Sequence, residues 1–253
     1  MFALALLGWL PIAFTQSALA QANLVTNGIF AVTGTNQSFQ FGTYGGYTSP
    51  TSSLAGWSSP NGYNYVFVPS DVVATGHYGN LSLWSPASSP VSANGFTNAS
   101  PTGGNFIGAD GAYGTEAITQ TIGGLMVGAT YRVSFAWAGA QQSGFTGPTT
   151  EFWTVKLGTQ TRTTATVNVA NKGFTGWMNQ TFEYVATSSS QVLSFLATGT
   201  PSGVPPFALL ASVSMTQVPE PAGASILLTG IAGLLVLAWR RRGSAVVAER
   251  GVV

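Results

Sequence analysis

Between Thr130 and Gly139 the chain alternates with a period of two. Tyr131, Val133, Phe135 and Trp137 fall on one side; Arg132, Ser134, Ala136 and Ala138 fall on the other. Successive side chains of a strand point to opposite faces, so this is the pattern of a half-buried antiparallel strand. A helix would scatter the same four large residues around its circumference. Between Gln21 and Gln217 no amphipathic helical repeat of two turns or more appears. Short apolar runs follow one another instead, at residues 23–30, 54–57, 63–68, 81–84, 105–110 and 118–122, and then at 151–157, 161–169, 177–186, 192–197 and 207–216. Turn chemistry separates the later ones at residues 144–148, 171–173, 188–190 and 201–206, and a Ser/Pro/Asn/Gly-rich stretch at 85–105 reads as a long surface loop. So many short strands with such turns predict an all-β fold, a two-sheet antiparallel β-sandwich of the jelly-roll kind.

Charge narrows the function. The segment 21–217 holds only Asp71, Asp110, Glu116, Glu151, Glu183, Arg132, Lys156, Arg162 and Lys172, a net charge of −1. With no basic patch to release counterions from phosphates, nucleic acid is excluded as a partner. The chain has no cysteine, which removes disulfides, thiol catalysis and thiolate metal sites together. Its surface is left to Ser, Thr, Asn, Gln and Gly.

The two ends read differently from the middle. Residues 1–20 carry an apolar run from Phe2 to Phe14 and end Ala18-Leu19-Ala20, the small-residue pattern of a cleaved signal peptide. At the other end Pro219-Glu220-Pro221 precedes an uncharged apolar run from Ala222 to Trp239, and Arg240, Arg241 and Arg242 follow at once. As a helix that run would span roughly 27 Å, close to the hydrocarbon thickness of a bilayer. Cationic residues at its end stay on the cytoplasmic side, so 243–253 is a cytoplasmic tail and the β domain is presented outside. Motif, helix and arginine cluster in that order resemble the PEP-CTERM sorting signal of Gram-negative bacteria, here residues 218–242. The resemblance implies export through the inner membrane, transient anchoring and processing by a membrane-embedded exosortase. It also implies a place at the cell surface or in the matrix, linked to exopolysaccharide and biofilm. Family tails usually stop a few residues after the arginines, whereas this one runs on to Val253.

The middle carries a second resemblance. An opening Asn-Leu-x-x-Asn-Gly-x-Phe at Asn23 to Phe30, Gln120-Thr121-Ile122, and the run from Gly128 through Tyr131 to Phe135 are similar to stretches of galactose-binding-like, carbohydrate-binding-module-like jelly rolls. That likeness implies the sandwich fold and sugar binding. Its closing strand usually carries an aspartate, where this chain has Leu210-Ala211-Ser212-Val213.

Few residues could do chemistry. A Ser-His-Asp arrangement would depend on His77, which lies in a Gly-rich turn and reads as a surface residue. A glycoside hydrolase needs two carboxylates about one bond, and Asp110 and Glu116 share a loop, but Asp110-Gly111 is also an ordinary turn. The same two carboxylates, with backbone carbonyls, are candidate calcium ligands, although their spacing matches no EF-hand. No other cofactor is implied. The aromatics offer more. An indole or phenol is a rigid apolar surface with a polar tip, which suits the C–H face and hydroxyl rim of a sugar. Tyr44, Tyr47 and Tyr113 sit in Gly-rich stretches and are expected to be exposed ligand-binding residues, whereas Trp137 and Trp177 are expected in the core. The expected function is non-enzymatic: binding or organising extracellular polysaccharide. A self-associating structural matrix protein without a glycan ligand is the alternative, and a hydrolase the last choice.

Overall fold

The protein is described by a computed structural model over residues 21–88 and 92–219. The expected signal peptide 1–20, the expected sorting signal from Glu220 to Arg242 and the expected tail 243–253 lie outside the described residues. Among the described residues no helix is long and apolar enough to cross a membrane.

The described strands, in chain order, are β1 (Val32–Gly34), β2 (Phe39–Gln40), β3 (Ser52–Leu54), β4 (Asn64–Phe67), β5 (Ala74–Gly76), β6 (Gly79–Leu81), β7 (Phe106–Asp110), β8 (Ile118–Gly123), β9 (Thr130–Gln141), β10 (Thr149–Leu157), β11 (Gln160–Thr163), β12 (Val167–Val169), β13 (Met178–Val185), β14 (Ser190–Thr200) and β15 (Pro206–Gln217). The larger sheet runs β13-β9-β15-β7-β4-β2-β5-β6, and the smaller runs β11-β10-β14-β8 with β12 also on β10. β1 and β3 make a separate ribbon. All pairs are antiparallel except β2 with β5, which are parallel, so the large sheet departs there from the expected antiparallel arrangement. From β7 onward the chain crosses between sheets: β7, β9, β13 and β15 lie in the larger, and β8, β10 and β14 in the smaller.

The fold is a β-sandwich, because the two sheets bury a common core. Val133, Phe135, Trp137, Leu210 and Met215 of the larger sheet pack with Trp153, Val155, Leu193 and Phe195 of the smaller. Trp153 is fully buried, and its indole N–H donates to the Leu209 carbonyl at 3.1 Å, tying one sheet to the other. An indole needs a partner for that N–H when water is excluded.

A second core covers the opposite face of the larger sheet. Tyr65, Phe67, Leu83, Phe96, Phe106, Ala138, Phe207 and Leu209 form it, with Phe174 and Trp177 packed against them. This corrects the half-buried reading of β9. Its first residues alternate between buried and open, but from Phe135 to Gln141 every residue is buried. Ala136, Ala138 and Ala140 are small because a layer of loop residues sits on them. Trp137 is buried as expected, and the partly buried Trp177 donates from its indole to Ala99 O at 3.0 Å.

Three further expectations change. Residues 23–30 form no strand. Asn27 adopts φ 51°, and its side chain closes the turn by accepting Ala31 N at 2.7 Å and donating to Ala31 O at 3.0 Å. The segment instead packs on a bulge in β15 between Ala211 and Ser214, where Val213 N donates to Gly28 O at 2.8 Å. A Cβ on Gly28 would lie 1.9 Å from the Val213 carbonyl oxygen, so this approach needs glycine. The run 161–169 divides into β11 and β12, and residues 55–57 lie after β3 rather than in a strand.

Candidate functional site

A cleft of about 380 Å³ opens at one end of the sandwich. It is lined by Tyr63 before β4, Asp110 at the end of β7, Tyr113 after β7, and Tyr78 between β5 and β6. The opposite wall comes from Gln142 and Phe145 after β9, and from Ser202, Gly203 and Pro205 between β14 and β15.

The tyrosines form one cluster. The Tyr113 hydroxyl lies 2.7 Å from that of Tyr44 and 2.8 Å from that of Tyr78. Tyr63 meets Tyr44 and Tyr113 edge-on, with ring centroids 5.6 and 5.8 Å apart. His77 stacks edge-on against Tyr78 at 4.5 Å. Edge-to-face contacts of this kind hold rings in fixed relative orientation. Hydrogen bonds with Tyr44 first, then Tyr78, raise the pKa of Tyr113 above that of a free phenol.

Buried polar groups position these loops. Gln40 is buried; its amide N–H donates to Gly42 O at 2.7 Å and Tyr44 O at 3.1 Å, and its Oε1 accepts His77 N at 2.9 Å. One side chain thus fixes both the short 3-10 turn Tyr44–Gly46 and the β5–β6 hairpin. Asn64 donates to Ser59 Oγ at 2.6 Å and to Glu116 O at 3.1 Å, and Tyr63 N donates to Gly114 O at 2.9 Å. Gly114 has φ +55°, and a Cβ there would stand 2.8 Å from Tyr63 Cβ and 3.0 Å from Tyr44 Cδ2. The close fit of the two rings therefore depends on glycine at this position.

Asp110 is 3% exposed. Its Oδ1 accepts the backbone N–H groups of Ala112 at 2.9 Å and Tyr113 at 3.1 Å. Burial pushes its pKa up to about 6, against the opposing pull of those two N–H groups. Glu116, by contrast, accepts Ala117 N at 3.0 Å. Among the described residues there is no group of three or more His, Cys, Asp or Glu placed to hold a metal ion.

Of the residues singled out in the sequence, Tyr113 and Asp110 line this cleft, and Tyr44 does not line it but meets Tyr113 through its hydroxyl. Tyr113 is exposed and Tyr44 half-buried. Tyr47, also half-buried, lines a separate recess of about 200 Å³ with Phe41, Thr43, Ser49 and Trp57. Pro219 lies two residues past the end of β15, and the other residues of the expected sorting motif, Glu220, Pro221 and Arg240 to Arg242, lie outside the described chain. Sequence reasoning passed over Tyr78, Gln142 and Phe145. Tyr78, 61% exposed beside a turn glycine, had the same signal as Tyr113; Gln142 and Phe145 had none, because only the return of β15 brings their loop to Asp110.

No protein-family model matches the chain, and no curated protein matches it. Solved structures overlap with it in part. One described as CBM4 is 17% identical over 55% of this chain and 87% of that one, with a TM-score of 0.29. TmCBM61 in complex with β-1,4-galactotriose is 11% identical over 55% and 82%, with a TM-score of 0.32. The CBM22-1 xylan-binding domain of Paenibacillus barcinonensis Xyn10C is 13% identical over 81% and 100%, with a TM-score of 0.35. The sandwich itself stands on the strand pairing above.

Proposed function

We propose that the cleft between Tyr78, Tyr113 and Phe145 binds a polysaccharide, and that the protein displays this site outside the inner membrane. The observation that carries the reading is the tyrosine cluster beside the Asp110 carboxylate. Ring faces offer apolar area to sugar C–H groups, while Gln142, Ser202 and Asp110 offer partners for hydroxyls. Hydrolysis of a glycosidic bond ordinarily uses two carboxylates, and among the described lining residues Asp110 is the one carboxylate. The proposed activity is therefore binding without catalysis. The crossing of strands between sheets supports treating the sandwich as a jelly roll.

Export, exosortase processing and a role in the biofilm matrix belong to the same proposal, and rest on the leader 1–20 and the tripartite end from Pro219 to Arg242. Two experiments test the two halves. A glycan array probed with the purified protein, repeated with Tyr78→Ala and Tyr113→Ala, is expected to show binding that both changes reduce; no binding to any glycan refutes the ligand. Intact mass from cells with and without an exosortase is expected to show loss of the C-terminal end only with the enzyme. A full-length product in both strains would reduce the signal to a plain anchor.

A further inference from the structure

The sandwich has two unlike ends. The cleft sits at one, where β9 finishes and β15 begins. At the other, β9 begins at Thr130 and β15 finishes at Gln217, which pairs with Tyr131. At about 3.3 Å per residue, Tyr131 and Gln142 stand roughly 36 Å apart along β9. Both ends of the described chain come to this second pole: Gln21, Met126 and Gln217 line one shallow recess of about 160 Å³.

That pole is apolar at its tip and cationic at its flank. Met126 is 61% exposed and Val127 68%, in the turn between β8 and β9, and Val185 at the end of β13 is also exposed. The turn is not loose: Met126 N donates to the Tyr131 hydroxyl at 2.8 Å, and Gly128 N to Ala186 O at 2.8 Å. Beside it, Arg162 lies over the Tyr184 ring at 5.6 Å, and Tyr184 pairs with Tyr131. Lys156 lies near the end of β10, and both cations are exposed. Among the described residues neither has an ion-pair partner, whereas Arg132 nearby is neutralised by Glu183 at 2.9 Å. The chain leaves this pole with Val218 N bonded to Thr130 O, and the uncharged apolar run begins at Ala222.

We propose that this pole seats on an anionic bilayer, with Met126 and Val127 entering the headgroup layer and Lys156 and Arg162 facing lipid phosphates. The inference rests on the reading of Ala222 to Trp239 as the membrane segment. A few residues of linker hold the turn at the surface, and this supplies the effective concentration that two apolar side chains alone would lack. The glycan cleft then points away from the membrane.

The absence of cysteine allows single labels. The full chain is reconstituted with phosphatidylcholine vesicles, alone or mixed with phosphatidylglycerol, carrying an environment-sensitive dye at Val127→Cys or, at the cleft end, at Thr146→Cys. Flotation of the vesicles reports anchoring. The expected result is flotation on both lipids, with loss of aqueous quenching at position 127 on the anionic vesicles and full quenching at 146. Each of Lys156→Gln and Arg162→Gln is expected to weaken the shielded state about fivefold. Flotation with position 127 as quenchable as 146 overturns the docking and leaves the anchor intact. A chain that does not float overturns both.

Discussion

The Oε1 of Gln40 accepts the backbone N–H of His77 at 2.9 Å, across 37 residues of sequence, while the same amide donates to the carbonyl of Tyr44. Two loops that carry the cleft's tyrosines are thus held by one buried side chain. Gln40→Ala leaves the carbonyls of Gly42 and Tyr44 and the His77 N–H without this partner. An unsatisfied buried group costs about 1–3 kcal/mol. The variant is expected to unfold at lower urea and to bind glycan more weakly than any single change at the rim, as checked by urea titration and calorimetry on one preparation.

Tyr113 and Tyr47 are predicted to separate. Stacking by an aromatic ring in a binding site is worth about 1–3 kcal/mol, so Tyr113→Ala should lose roughly 5- to 150-fold in affinity. Tyr113→Phe keeps the ring and removes the hydroxyl between Tyr44 and Tyr78, and should lose less. Tyr47→Ala lies at another recess and should leave affinity for a short oligosaccharide unchanged. Equal losses at Tyr47 and Tyr113 would move the site.

Asp110 is expected to make the proposed glycan binding pH-dependent. Its pKa, raised by burial to about 6, leaves it neutral below that pH and charged above. A carboxylate accepts hydroxyl hydrogen bonds roughly twice as strongly as a neutral group does. Affinity should therefore rise as pH increases through 6, and Asp110→Asn should flatten the profile, measured by titration calorimetry across that range.

Glu151 makes stability pH-dependent. It is fully buried, its Oε1 accepts Thr149 Oγ1–H, and its Oε2 has no partner. The carboxyl sits over Gly139 of β9, where a Cβ would lie 2.8 Å from Oε2. Burial raises its pKa from 4.5 to about 8. The folded state thus holds the proton more tightly than the unfolded chain does. The resulting stability is complete below pH 4.5 and is lost as pH climbs through about 8. Asp110 acts in the same direction between 3.8 and about 6. Glu151→Gln, neutral at every pH, should raise Tm above pH 8 and remove most of the loss between about pH 4.5 and about pH 8. Thermal melts at stepped pH check this, and an unchanged slope would place the titration elsewhere.

Gly114→Ala tests the backbone of the site. It forces a Cβ at φ +55° into the ring of Tyr44 and the Cβ of Tyr63. Strain of this kind costs about 1–3 kcal/mol, so a lower Tm with a disturbed tyrosine near-ultraviolet signal is expected from circular dichroism.

The sequence by itself determined the all-β class, because a period of two is a local property of neighbouring residues. Tyr131 to Trp137 alternate whatever lies opposite them, and strands β7, β8, β10, β13, β14 and β15 fell close to where their apolar runs and turn residues put them. It also marked Tyr113 as exposed among turn glycines, which it is, whereas Tyr44, expected exposed for the same reason, is half-buried against the second core. Tertiary structure alone decided the rest. Whether Ala136 and Ala138 meet water or a second core depends on loops from elsewhere in the chain, including Phe96 and Phe174. Tyr113 meets Tyr44 across 69 residues, and Gln142 and Ser202 reach Asp110 only where three strand ends converge. Tyr47 lies three residues from Tyr44 and belongs to a different recess, because a 3-10 turn pinned by Gln40 sends the two rings apart. Local pattern fixes which face a residue takes on its own strand; only the packing of distant strands fixes what that face meets.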